Sequence, residues 1–231
     1  MHPLICKVGP FAIYSYGVML AFAFLVSSYL AKKKAQTVGI NPEIIFNLAF
    51  IAFIFGIIGG RLLYVIFNFD YYIDNLSEIF KLWHGGLSWF GGLFLGSVAG
   101  IVYINRKGLC VYKVLDVIVP FVALGQAIGR IGCFLNGCCY GVLGFIPIQI
   151  FSSLLLLIIF IILGFLQERP HKAGEILFLY LILYSIKRFF VEFWRADNKI
   201  LMFGLTYFQI IAIAIFFFSV WKLLSLKRSC R

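Results

Sequence analysis

Apolar residues along this chain fall in long unbroken runs, and polar residues fall in short clusters between them. Seven runs stand out, over 11–31, 43–68, 86–105, 114–134, 146–166, 174–194 and 204–224. Each approaches or exceeds the roughly 20 residues that a helix needs to cross a hydrocarbon core. None alternates apolar with polar, as the short strands of a membrane barrel would. The pattern predicts an all-α, polytopic membrane protein with about seven transmembrane helices, in one integral membrane domain over 1–231. The first run is too long for a signal peptide, and no small-residue cleavage site follows it, so it reads as a retained span.

Glycines punctuate the runs. Gly92, Gly96 and Gly100 recur every four residues, as do Gly125 and Gly129. This spacing predicts close helix–helix packing. The pair Gly85-Gly86 and the stretch Gly137–Gly144 read as turns or re-entrant loops. Such irregular backbone is tolerated at membrane depth only when buried in protein or lining a wet cavity.

Composition agrees with the pattern: 63% of the 231 residues are hydrophobic and 13% charged, more apolar surface than a soluble domain of this size can hide. The net charge of +11 would suggest a nucleic-acid partner in a soluble protein. Here the basic residues cluster between apolar runs, so topology explains most of them and no nucleic acid is expected. With the N-terminus outside, 12 of the 20 lysines and arginines fall on inner loops, among them Lys32, Lys33, Lys34, Arg106 and Lys107. The inner segments then carry +8 and the outer ones +3, so the charge bias predicts an outer N-terminus and a cytoplasmic C-terminus.

Three arginines depart from that bias. Arg61, Arg130 and Arg188 lie inside apolar runs, each toward the outer end. A guanidinium there is costly and normally faces the bundle interior or a wet cavity; the alternative is snorkelling to outer headgroups. In the sixth run Tyr184, Arg188, Glu192 and Arg195 stand at helical offsets that map within roughly 80° of one another. One helix face therefore carries a phenol, two guanidiniums and a carboxylate, and Glu192 can pair with Arg188 four residues before it. That pair either braces the helix or leaves donors for a bound anion. The planar arginine fork suits phosphate oxygens. A phospholipid headgroup fits an outer-leaflet pocket, and no phosphate loop or dinucleotide fingerprint points to a nucleotide.

Cys133, Cys138 and Cys139 cluster in sequence, but their spacing is not a C-x-x-C pair and no histidine is near, so no metal site is expected. A disulfide within the cluster and inert buried thiols are both open, and Arg130 is near enough in sequence to lower a thiol pKa.

Five stretches, in order along the chain, carry a resemblance. They are Tyr14-Ser15-Tyr16-Gly17, Gly59-Gly60-Arg61-Leu62-Leu63-Tyr64 and Gly85-Gly86-Leu87-Ser88-Trp89-Phe90-Gly91-Gly92, then Gly129-Arg130-Ile131-Gly132-Cys133-Phe134-Leu135-Asn136-Gly137 and Arg188-Phe189-Phe190-Val191-Glu192-Phe193-Trp194-Arg195. With these the chain resembles the prolipoprotein diacylglyceryl transferases. The resemblance implies seven spans, an outer N-terminus, and a bacterial plasma-membrane enzyme facing the outer leaflet. It also implies transfer of the diacylglyceryl group of phosphatidylglycerol to the thiol of a lipobox cysteine in a prolipoprotein signal peptide, giving a thioether and glycerol phosphate. The partners are then membrane lipid and the signal peptide; the protein is a monomer, and no cofactor is expected. By resemblance Arg130 and Arg188 bind the lipid phosphate, and Tyr16, Arg61, Tyr184, Glu192 and Arg195 are catalytic or supporting.

The sequence departs from the family pattern at three positions. The usual histidine of the Gly-Gly-x-Ser-x-His-Gly-Gly element is Phe90, an asparagine is Cys133 and a glutamate is Cys138. Either the enzyme relies on arginine electrostatics, with Glu192, Tyr16, His84 or a cysteine thiolate assisting, or the scaffold serves another acceptor. Asn136, Cys138 and Cys139 stay candidates on the same ground. A transporter would show mirrored halves, and the arginine elements have no mirrored partners.

Overall fold

The computed structural model describes residues 4–8, 11–74, 76–81, 85–143, 146–195, 200–202 and 204–226. The element order is β1 (Leu4–Val8), β2 (Phe11–Tyr14), α1 (Ser15–Thr37), α2 (Pro42–Phe67), α3 (Phe69–Asp74), a 3-10 turn (Leu76–Phe80), α4 (Trp89–Arg106) and α5 (Val111–Asn136). There follow β3 (Val142–Leu143), β4 (Ile146–Pro147), α6 (Ile148–Gln167), α7 (Glu175–Glu192), β5 (Ile200–Met202), β6 (Leu205–Thr206) and α8 (Tyr207–Ser225). Each of the seven apolar runs holds one long helix. Five of them, α1, α2, α5, α6 and α8, are long and apolar enough to cross a membrane by length and composition. Helices α4 and α7 have 18 residues each; α7 carries four charges and α4 four glycines, which lowers their hydropathy. The chain is a multi-pass, all-α membrane protein.

The predicted ends need correction at two places. Residues 11–14 pair with Leu4–Val8 in an antiparallel hairpin, and α1 starts only at Ser15. Likewise 205–206 pair with 200–202, and Thr206 begins α8 with a capping box, its hydroxyl accepting from the Gln209 amide while Gln209 caps the Thr206 amide. Hydropathy cannot separate a short apolar strand from the helix that continues it, because both are apolar.

The chain divides into two compact units, residues 35–114 and residues 1–34 with 115–231. In the first, α2 packs against α4 through glycines. A Cβ on Gly59 or Gly91 would collide with the other's carbonyl oxygen. One on Gly92 would come 2.9 Å from the Gly56 oxygen, and one on Gly96 2.9 Å from that of Ala52. Without side chains in the way, the two backbones approach closely, which is how helices associate where apolar burial gives little drive. The Gly125 and Gly129 pair behaves less uniformly. A Cβ on Gly125 would press on Ser27 Oγ at 2.9 Å, but one on Gly129 meets nothing within 4 Å.

In the second unit, Val119, Ala123, Ile159, Leu163, Ile176 and Tyr180 form a core between α5, α6 and α7. Polar groups lock its ends. Pro120 lies inside α5 and has no N–H to give the Asp116 carbonyl. The Gln167 side chain, buried at the end of α6, donates to that carbonyl instead, at 2.7 Å. The buried Asp116 carboxylate accepts from the Gly174 and Leu177 amides, at 2.6 and 2.8 Å, and so caps α7 from a neighbouring helix. Lys34 pairs with Glu168, tying the end of α1 to that of α6. Asp116→Ala orphans the two α7 amides and is expected to cost about 1–3 kcal/mol of stability. Thermal unfolding in detergent measures it; an unchanged midpoint would show that α7 needs no cap from α5.

Candidate anion and thiol site

Arg61 is buried on α2, and its five N–H groups meet five backbone carbonyls. Nε donates to Ile79 at 2.9 Å. Nη1 donates to Gly85 and Gly86 at 2.6 and 2.9 Å, and Nη2 to Glu78 and Lys81 at 2.5 and 3.4 Å. Tyr64 and Tyr72 flank the guanidinium, their ring centroids 6.0 and 5.4 Å away. No donor is left for a ligand. Arg61 is therefore a strap that holds the segment before α4, not an anion ligand. Arg61→Ala is expected to cost about 3 kcal/mol or more, since several carbonyls lose a charged partner, and to expose the segment around Lys81 to trypsin. Unchanged resistance to limited proteolysis would contradict this role. Phe90 sits at the exposed start of α4, its ring edge-on to Trp89 at 5.4 Å. His84 lies outside the described residues.

The arginine face predicted for the sixth run is present on α7. Arg188 Nη2 lies 3.0 Å from Glu192 Oε2, and both side chains are buried. The other Glu192 oxygen accepts from the Thr206 hydroxyl at 2.9 Å, so the cap residue of α8 also aims the carboxylate. The Arg188 guanidinium stacks over the Phe208 ring at 4.3 Å. Gln209 completes the joint by donating to the Phe189 carbonyl at 3.5 Å. Arg188 is thus held on one side by a carboxylate and on another by an aromatic face, both fixed by α8.

Lys187 is the basic residue that the helix-face reading missed. It is buried, lies 4.9 Å from the Tyr184 ring centroid, and feels the charges of Arg130, Arg188 and Arg195. Arg188 feels Arg130 and Arg195 as well. Arg130 on α5 and Arg195 in the turn after α7 thus both act on the neighbouring pair Lys187 and Arg188. Among the described residues the carboxylate acting on Arg188 is Glu192, and no ion pair joins Arg130 or Lys187 to a carboxylate. Basic groups gathered this closely repel one another in a medium of low polarity, so this arrangement suits a bound anion. Arg195 enters through its backbone, which bridges to Gly141. Tyr184 packs on Tyr180 at 5.7 Å, and Tyr180 in turn donates to Gln126 at 3.0 Å. The signal for Lys187 was its place one residue before Arg188; mapping only the Tyr184–Arg188–Glu192–Arg195 face passed over it.

Arg130 stands three residues before Cys133 on the last turns of α5, which Asn136 ends. Gly137 follows with φ +77, the left-handed conformation that reverses a chain after a helix. Its amide donates to the Phe134 carbonyl at 3.2 Å and that of Cys138 to the Cys133 carbonyl at 3.1 Å. The reversal folds Cys138 and Cys139 back onto Cys133, and the three sulfurs lie within 4.8 Å of one another. None of the three is in a disulfide. Tyr16, at the start of α1, packs on the same turn; a Cβ on Gly132 would come 3.5 Å from its ring. Its hydroxyl feels Arg130 and all three cysteines. Tyr16, Arg130, the cysteines and the α7 cations are therefore one neighbourhood.

Comparison with known proteins gives the family. The family described as prolipoprotein diacylglyceryl transferase matches residues 3–225. A relative from Clostridium tetani (strain Massachusetts / E88) is 36% identical over 218 residues, covering 86% of this chain and 87% of the relative. One from Staphylococcus aureus (strain MSSA476) is 32% identical over 245 residues, covering 95% and 87%. Both are named phosphatidylglycerol–prolipoprotein diacylglyceryl transferase.

Proposed function

This chain belongs to the prolipoprotein diacylglyceryl transferase family, and on that premise we propose that it moves the diacylglyceryl group of phosphatidylglycerol to the thiol of a lipobox cysteine. The observation that carries the reading is the group of basic side chains on α5 and α7, Arg130 beside the buried Lys187 and Arg188, with Glu192 the paired carboxylate among the described residues. A phosphodiester placed there meets Arg130 and Lys187, neither of which is tied to a carboxylate among the described residues.

The chemistry is displacement at a glyceryl carbon. The acceptor sulfur forms the new bond, the carbon–oxygen bond to phosphate breaks, and the electron pair leaves with glycerol phosphate. The leaving group gains charge in the transition state, so cations already in place stabilise that state without reorganising. Arg130 is the phosphate ligand in this scheme. Arg188 supports it from a fixed position, since Glu192, Thr206 and Phe208 hold its guanidinium. Tyr184 and Lys187 line the same side, and Tyr16 bounds it from α1. The protein acts as one integral membrane domain, a monomer in the bacterial plasma membrane. The N-terminus is outside, the C-terminus cytoplasmic and the site toward the outer leaflet, as the lysine and arginine bias indicates.

Full-length protein in phosphatidylglycerol-containing micelles, given a lipobox peptide, should raise the peptide mass by one diacylglyceryl group. A serine-for-cysteine peptide should not change. No product, under conditions where the relative from Staphylococcus aureus gives one, would sink this reading and favour a related lipid transferase with another acceptor.

A further inference from the structure

The proposed function gives the cysteine cluster no part in binding phosphate. Three thiols from a seven-residue stretch converge on one point, with no histidine or carboxylate joining them among the described residues. The convergence is built rather than incidental. The Gly137 reversal sets Cys138 over the end of α5. The buried Gln149 side chain, at the start of α6, donates to the Cys138 carbonyl at 3.0 Å and holds it there. Cys139 then adopts φ +55, a left-handed conformation that a residue with a Cβ rarely takes. The Cys133 and Cys139 thiols share a hydrogen bond, and the Cys138 thiol points at the Cys133 carbonyl at 3.7 Å.

We propose that Cys133, Cys138 and Cys139 bind one Zn²⁺ ion through three thiolates, and that its fourth position receives the acceptor thiol. Zinc–sulfur bonds of about 2.3 Å in a tetrahedron set sulfurs about 3.8 Å apart. The observed spacing, within 4.8 Å, reaches that with small side-chain rotations. Thiolates select soft and borderline metals over magnesium or calcium. Three protein ligands leave one vertex open, the pattern of zinc sites that take a substrate rather than of closed structural ones. Three thiolates on Zn²⁺ carry one net negative charge, and the Arg130 guanidinium acts on Cys133 with the opposite sign.

The fourth ligand follows from the transfer reading, on which this part of the proposal rests. The acceptor S–H must lose its proton before attack. Glu192, the carboxylate of this neighbourhood among the described residues, is already committed to Arg188 and Thr206. A thiol that coordinates zinc is deprotonated outright, and its proton passes to water. The bound sulfur keeps a lone pair, forms the S–C bond as the C–O bond breaks, and leaves the metal as a weakly held thioether. The electron pair departs with glycerol phosphate, and the zinc changes neither charge nor oxidation state.

Reduced full-length protein in detergent, stripped with chelator and loaded with Zn²⁺, should retain about one ion per chain after gel filtration. Co²⁺ in place of zinc should give the intense visible bands of a tetrahedral site and sulfur-to-metal charge transfer. Adding a lipobox peptide should increase the charge-transfer band, and the serine peptide should leave it unchanged. Cys133→Ser, Cys138→Ser and Cys139→Ser should each abolish retention. Should a variant fail to fold, the cobalt spectrum of the wild-type protein still decides. No ion retained by folded, reduced wild-type protein overturns the site. An ion retained with no spectral response to the cysteine peptide overturns its role. Metal-loaded protein that gives the spectral response yet makes no thioether product with phosphatidylglycerol leaves the thiol-binding zinc site standing and sinks the transfer reading instead.

Discussion

Arg130→Ala lowers kcat/KM for diacylglyceryl transfer by roughly 10²–10³-fold, the loss expected when one preorganised charge donor to the leaving group is removed. The same change leaves the unfolding midpoint nearly where it was. Both halves follow from the surroundings of Arg130. It forms no ion pair with a carboxylate among the described residues, and its charge is felt by Lys187 and Arg188 as repulsion. Removing it therefore strands no partner and relieves a like-charge contact. On the proposed reading it faces the departing phosphate in the transition state, while the Arg188 fork is held by Glu192 and Phe208. Arg130→Lys keeps the charge but loses the two parallel donors, so an intermediate rate is expected. The mass-shift assay reports the rate and tryptophan fluorescence the midpoint. Near-normal turnover in Arg130→Ala would remove the phosphate assignment; a collapse of the midpoint would make Arg130 a structural residue.

Glu192→Ala gives the second large effect, and it falls on stability. The carboxylate is buried, pairs with Arg188 at 3.0 Å and accepts from Thr206 at 2.9 Å. Deleting it leaves a buried guanidinium without its counter-charge, a loss of about 3–5 kcal/mol. It also frees the hydroxyl that aims α8 at α7. Glu192→Gln retains the acceptor for Thr206 and loses only the charge, so a smaller fall is expected. Thr206→Val removes the hydroxyl and with it the cap of α8, for about 0.5–2 kcal/mol. The order Ala, then Gln and Val, in thermal unfolding tests the arrangement. Equal midpoints for wild type and Glu192→Ala would mean that the pair braces nothing. A reduced rate in Glu192→Gln with the fold intact would show that the pair also sets where Arg188 points.

These two residues show different sides of one site. Arg188 is expected to bind the lipid phosphate, and its guanidinium is held in place by Glu192, Thr206 and Phe208. Arg61 looked alike in sequence: a guanidinium inside an apolar run, beside glycines and a tyrosine. Its five donors all go to backbone carbonyls, so it orders a segment and binds nothing else. The difference between the two lies entirely in what surrounds them, which no local pattern encodes.

The seven long helices were legible in the chain, because a bilayer leaves a backbone few ways to satisfy its hydrogen bonds and apolar run length reports the helix directly. The Arg188–Glu192 pair was legible too, because helical spacing alone puts residues four apart on one face. The strands at 11–14 and 205–206 were not, since they are as apolar as the helices they precede. Three features needed the tertiary structure. The buried Lys187 joins the arginines only once α5 and α7 pack, as charge couples through space and not along the chain. Arg61 became a strap only when the segment before α4 folded over it. The three cysteines, whose spacing argued against a metal site, converge because Gly137 reverses the chain and Gln149 holds the turn. Sequence spacing is a one-dimensional measure of how side chains gather, and a left-handed turn breaks its relation to distance.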